Sequence, residues 1–86
     1  MGDKALERDV LAAYAAQLPI HRRALLAGPG QGARRAAHML VGSSKAVGAR
    51  RVAALAEAVQ AGDAGASEPL LAALDDTMAF IADLRN

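Results

Sequence analysis

A chain of 86 residues is enough for one compact domain, 1–86, whose core is modest and depends on efficient packing. With ten basic side chains against nine acidic ones and a formal charge of +1, no chain-wide field draws a polyanion, so nucleic acid and anionic membrane make poor general partners. The absence of cysteine removes disulfides, thiolate nucleophiles and thiolate-bound metal. The N-terminal stretch is charged and no apolar run is as long as a signal core or a membrane span, so the expected location is cytoplasmic.

About a quarter of the residues are alanine, the best helix former, while β-branched and aromatic residues are too scattered for a sheet; the chain is predicted to be all-α. The first helical region spans about 4–27, with Asp3 as N-cap and Leu11, Tyr14, Leu18 and Leu25 on one side. Pro19 lies inside it. Lacking an N–H and crowding the preceding turn, it predicts a kink or break near Gln17–Pro19 that divides the region into two segments. Residues 28–32 form a tight glycine-rich connector. A second helix spans about 33–47 and stops at Gly48, and a third spans about 49–61, burying Val52, Leu55, Ala56 and Val59.

Residues 62–66 form a second loop, after which Ser67 is the expected N-cap of the last helix, with Glu68 and Pro69 in its first turn. That helix carries Leu70, Leu74, Met78 and Ile81 at helical spacing, joined by Leu71 and Leu84, while Asp75, Asp76 and Asp83 lie off the stripe. Short connections make helices antiparallel neighbours. The expected architecture is therefore an antiparallel up-down four-helix bundle with a Pro-kinked or broken N-terminal helical region.

Within the second helix, Ala33, Ala36, Ala37, Leu40, Ser44 and Val47 fall on one arc, and His38 falls roughly opposite. Around it the same wheel gathers Arg34, Val41, Gly42 and Lys45, so an imidazole stands on an open, partly basic surface. A neutral imidazole has one unprotonated nitrogen able to attack phosphorus, and imidazoles titrate close enough to neutrality to keep that form populated. Gly42, one turn on, costs the helix about 1 kcal/mol relative to alanine. Clearance for a phosphoryl group and a docking partner accounts for it, as does, alternatively, close helix packing.

The run from Ala37 to Ser44, with His38, Leu40, Gly42, Ser43 and Ser44 in place and Val47-Gly48-Ala49 after it, resembles the histidine-containing phosphotransfer (HPt) domain. The resemblance extends to helix order and spacing over most of the chain. It implies a helical bundle whose exposed histidine, here His38, relays a phosphoryl group to or from a receiver-domain aspartate in a phosphorelay, as a carrier without kinase activity of its own. It implies no cofactor in this chain, Mg²⁺ on the partner receiver, and a receiver domain or hybrid sensor kinase as partner. The docking face would comprise Arg34, Arg35, Met39, Val41, Gly42 and Lys45.

One position departs from the family. The lysine usual three residues after the histidine is replaced by Val41, and Lys45, nearly in line with His38 two turns on, stands where relatives often have glycine. Lys45 and Arg34 are the candidate compensating cations, or else ordinary solvated charges. If the middle helices fold back about Gly48, His38 faces the region 58–60. Gln60 is then the polar candidate to hold the ring nitrogen not used in attack, a job the matching family position often has.

Ser43 and Ser44 have no acidic partner spaced for a triad, and bonding to the carbonyl one turn back accounts for them. His21, beside Arg22 and Arg23, is expected at the bundle margin without chemistry, and two histidines without clustered carboxylates make a metal site improbable. Two further functions compete: a helical docking module in which His38 is never phosphorylated, and a small nucleic-acid binder using Arg34-Arg35 and Arg50-Arg51. The balanced charge and two aromatic residues weigh against the latter.

Overall fold

Glycine sets where the helices of this alanine-rich chain stop. A computed structural model describes residues 4–85, in the order α1 (Lys4–Leu26), α2 (Gln31–Val47), α3 (Arg50–Gln60) and α4 (Ser67–Arg85), with a 3-10 turn at Ala64–Ala66. The expected cap Asp3 lies outside the described residues, among which there is no strand. α2 ends at Gly48, whose φ of 80° is left-handed and suits a residue without Cβ. Its N–H donates to the Lys45 carbonyl at 3.2 Å and the Ala49 N–H to the Ser44 carbonyl at 2.8 Å, closing the last turn. α3 ends the same way, with Gly62 N–H on Val59 O at 3.0 Å and Asp63 N–H on Ala58 O at 2.9 Å.

Two sequence expectations fail locally, the break of the helix at Pro19 and the cap at Ser67. Pro19 does not break the first helical region, because α1 runs continuously from Lys4 to Leu26. Proline inside a helix costs about 3 kcal/mol, yet Tyr14 before it and Leu18, His21 and Leu25 around and after it are all buried on one face, so packing holds both halves together while Pro19 itself faces solvent. Ser67 is not a cap. Asp63 takes that role one turn earlier, its Oδ1 accepting the Gly65 N–H at 2.9 Å and capping the 3-10 turn that leads into α4.

The core draws on every helix: Tyr14, Leu18 and Leu25 from α1, Ala36, Ala37 and Leu40 from α2, Val52, Ala56 and Val59 from α3, and Leu70, Leu74 and Ile81 from α4. In α3 the fourth buried residue is Ala53, and Leu55 is only half-buried. Leu84, expected on the α4 stripe, is 58% exposed; it lies in the last turn, bordering an open groove with Leu11 and Phe80. Small side chains face each other between α2 and α3, which lets these helices approach closely.

Polar contacts fix the register. The Tyr14 hydroxyl and Ser44 Oγ, both buried, share a hydrogen bond of 2.7 Å between α1 and α2. Arg22 joins α1 to α4 through Nε on Asp75 Oδ1 at 2.8 Å and a second guanidinium nitrogen on Oδ2 at 3.3 Å. Burial raises the Tyr14 pKa, partly offset by the Ser44 hydrogen bond. His21 is 6% exposed rather than marginal, and burial lowers its pKa below the ordinary imidazole value.

A His21 pKa below its unfolded value means that the unfolded chain binds a proton that the folded chain refuses. This group costs nothing above about pH 6.5 and removes stability as pH falls below it. Urea denaturation should show part of the stability loss between pH 7 and pH 5 disappear in His21→Gln; an unchanged slope would refute the assignment. Tyr14→Phe should cost about 1–3 kcal/mol by orphaning the Ser44 hydroxyl, and Tyr14→Phe with Ser44→Ala less than the sum of the singles, as read in a double-mutant cycle.

Candidate functional site

The burial pattern of α2 separates two faces. Ala33, Ala36, Ala37, Leu40 and Ser44 point into the core, and His38 stands on the exposed side. Because α2 and α3 are joined through the tight stop at Gly48, residues ten before and twelve after that glycine come level. Gln60 Nε2 lies 2.8 Å from His38 Nδ1. With the amide in this orientation its N–H donates to Nδ1, which places the ring proton on Nε2. Rotating the amide by 180° brings Oε1 to the same place, where Nδ1–H donates to it and Nε2 keeps its lone pair. The orientation of the Gln60 amide and the tautomer of the His38 ring are therefore coupled.

Gly42 settles one of the sequence alternatives. A Cβ built at this position meets nothing within 4 Å, so no packed neighbour demands a glycine. The open backbone lies one turn from His38 on the same exposed side of α2. Met39, next to His38, is 50% exposed, while Val41 is half-buried against the core and offers only its outer edge. Ser43 Oγ donates to the Met39 carbonyl at 3.0 Å, the local bond expected of it, whereas Ser44 bonds to Tyr14 across the helix interface instead.

The candidate cations divide. Arg34 and Arg35 are exposed and enter no ion pair among the described residues, Arg34 bordering a groove formed with the loops at Gly28–Gly30 and Gly62–Ala64. Lys45 instead pairs with Glu57 on α3, Nζ to Oε1 3.6 Å, both side chains more than half exposed. Glu57 was not singled out from sequence. Simple folding about Gly48 sets Lys45 nearer Arg51, and only the diagonal reach of two long side chains brings Glu57 to it. The usable signal was its spacing of three residues before Gln60, on the same side of α3.

No group of three or more metal-ligating side chains gathers among the described residues, and no helix there is long and apolar enough to cross a membrane. What the surface does hold is one exposed imidazole with a fixed hydrogen-bond partner, bare backbone beside it and cations nearby. Gly42→Ala should stabilise the fold by about 0.5–1 kcal/mol, since alanine is the better helix former and finds open space here. A thermal melt of the variant reads this directly; destabilisation would mean a hidden packing role.

No curated protein and no solved structure matches the chain. A family model described as Hpt domain matches residues 6–84. With nearly the whole chain covered, this protein belongs to the Hpt domain family, and its role lies in phosphotransfer within two-component signalling.

Proposed function

We propose that the chain is a phosphorelay intermediate in which His38 accepts a phosphoryl group from a receiver-domain aspartate and passes it to another receiver. The observation that carries this is the hydrogen bond between Gln60 and His38 Nδ1 beside the open backbone of Gly42. The scaffold is taken as an antiparallel up-down bundle, supported by the pairing of Tyr14 with Ser44 and of Arg22 with Asp75.

The chemistry follows from the imidazole. With the Gln60 amide rotated so that Oε1 accepts the Nδ1 proton, the Nε2 lone pair attacks phosphorus; the Nε2–P bond forms as the acyl P–O bond breaks, and its electron pair stays on the aspartate carboxylate. Nε2 has no proton to lose, so no general base is needed. Onward transfer is the reverse step with a second receiver. Phosphoryl transfer depends mainly on alignment and on stabilising charge spread over the phosphoryl oxygens. The partner's Mg²⁺ site would supply most of that charge, with Arg34, Arg35 and Lys45 facing its acidic pocket and Met39, Gly42 and the edge of Val41 seating its surface. The cytoplasm is the compartment where this exchange is placed.

Incubation with a phosphorylated receiver should label the chain with an acid-labile, base-stable phosphate that His38→Gln abolishes. Gln60→Ala should slow transfer about tenfold by freeing the ring's tautomer and orientation while the fold persists. Gly42→Ala should also slow transfer although it stabilises the helix. The absence of Lys at position 41 favours one competitor, a docking module without transfer. Receiver binding that survives His38→Ala, with no labelling of the wild-type chain, would establish that module instead.

A further inference from the structure

A second pair of side chains bridges α2 and α3 along the seam that carries His38 and Gln60. Lys45 follows His38 by two helical turns and shares its side of α2; Glu57 precedes Gln60 by three residues and shares its side of α3. Helical side chains lean toward the N-terminus of their own helix. Lys45 therefore leans toward His38 and Glu57 leans toward the Gly48 turn, and their charges meet between the two, 3.6 Å apart. On α2 the open backbone of Gly42 lies between His38 and Lys45. Arg50 borders the same groove as Lys45 and Glu57 and enters no ion pair among the described residues.

An exposed pair of this length contributes little to stability. Its significance is where it holds a charge. Seven residues of helix are about 10 Å, slightly beyond the screening length of about 8 Å at physiological salt and well within that of about 30 Å at low salt, so at low salt a phosphoryl group on His38 feels a free Lys45 ammonium more than a neutralised one.

We propose that Glu57 is a positioning residue that sets how strongly His38 holds a phosphoryl group, by competing with that group for Lys45. This rests on His38 being the phosphoacceptor. In the unmodified protein Glu57 occupies the lysine. An arriving phosphoryl group, with nearly two negative charges, competes for it, and Arg50 is placed to take the released carboxylate. The competition weakens the hold of His38 on phosphate and favours handing it on.

The test uses the full chain and phosphoramidate as donor, so that no receiver is needed. The Nε2–P bond forms as the donor's P–N bond breaks and ammonia departs from the protonated donor. Phosphohistidine occupancy against a fixed excess of ammonium is read by phosphorus NMR. At low salt Glu57→Gln should raise the transfer equilibrium constant about threefold, Lys45→Gln should lower it about threefold, and the double variant should lie within about 1.5-fold of wild type. Lys45→Arg should match wild type. All differences should collapse in about 0.5 M salt, which a structural role would not produce. A Glu57→Gln equilibrium at or below wild type, or a difference that persists in salt, overturns the role of Glu57. No phosphohistidine in any variant, wild type included, overturns the assignment of His38 itself.

Discussion

The close packing of α2 on α3 is the constraint on which the site depends. Ala36 and Ala37 on one helix and Ala53 and Ala56 on the other are all buried, and side chains this small let two backbones approach until residues on the adjoining outer edges come within hydrogen-bond range. The left-handed stop at Gly48 then sets the register of the hairpin. Larger residues in place of those alanines would move α3 outward and carry Gln60 away from the 2.8 Å at which it meets His38. The orientation of the imidazole is in this sense a product of the core beneath it.

Much of this is legible in the amino-acid sequence. The arc of Ala33, Ala36, Ala37, Leu40 and Ser44 is a 3.6-residue pattern, and a histidine opposite such an arc must face away from the core. Gly48 announces a helix end because few other residues take positive φ cheaply. The break that the same local reasoning allows at Pro19 does not occur, because the penalty of a proline is local whereas the packing of Leu18, His21 and Leu25 that outweighs it is tertiary. Asp63 was missed for a related reason: a three-residue 3-10 turn ahead of α4 shifts the capping position upstream of the serine that the helical pattern favours. His21 and the Tyr14–Ser44 bond depend on which faces of α1 meet α2 and α4, which spacing along a single helix does not specify.

At the site, the positions legible from sequence are those tied to backbone geometry. His38, Gly42 and Gln60 follow from helix phase and hairpin register. Lys45 illustrates the converse: its Cα position is well determined by helix phase, but its charge sits at the end of a long flexible side chain and goes to whichever anion lies within reach, here Glu57.

One helix thus carries two sequences interleaved at helical period. Its inner residues are mostly alanine, with Leu40 and the hydrogen-bonded Ser44 among them, because α1 and α3 must approach, and their burial contributes to the stability of the hairpin. On its outer side one residue is set against stability, since Gly42 gives up helix propensity with no packing in return. A domain of 86 residues has little stability to spare. Packing does not account for such a residue on the exposed side, one turn from the imidazole that Gln60 contacts, and under the proposed function the space is what an approaching receiver uses.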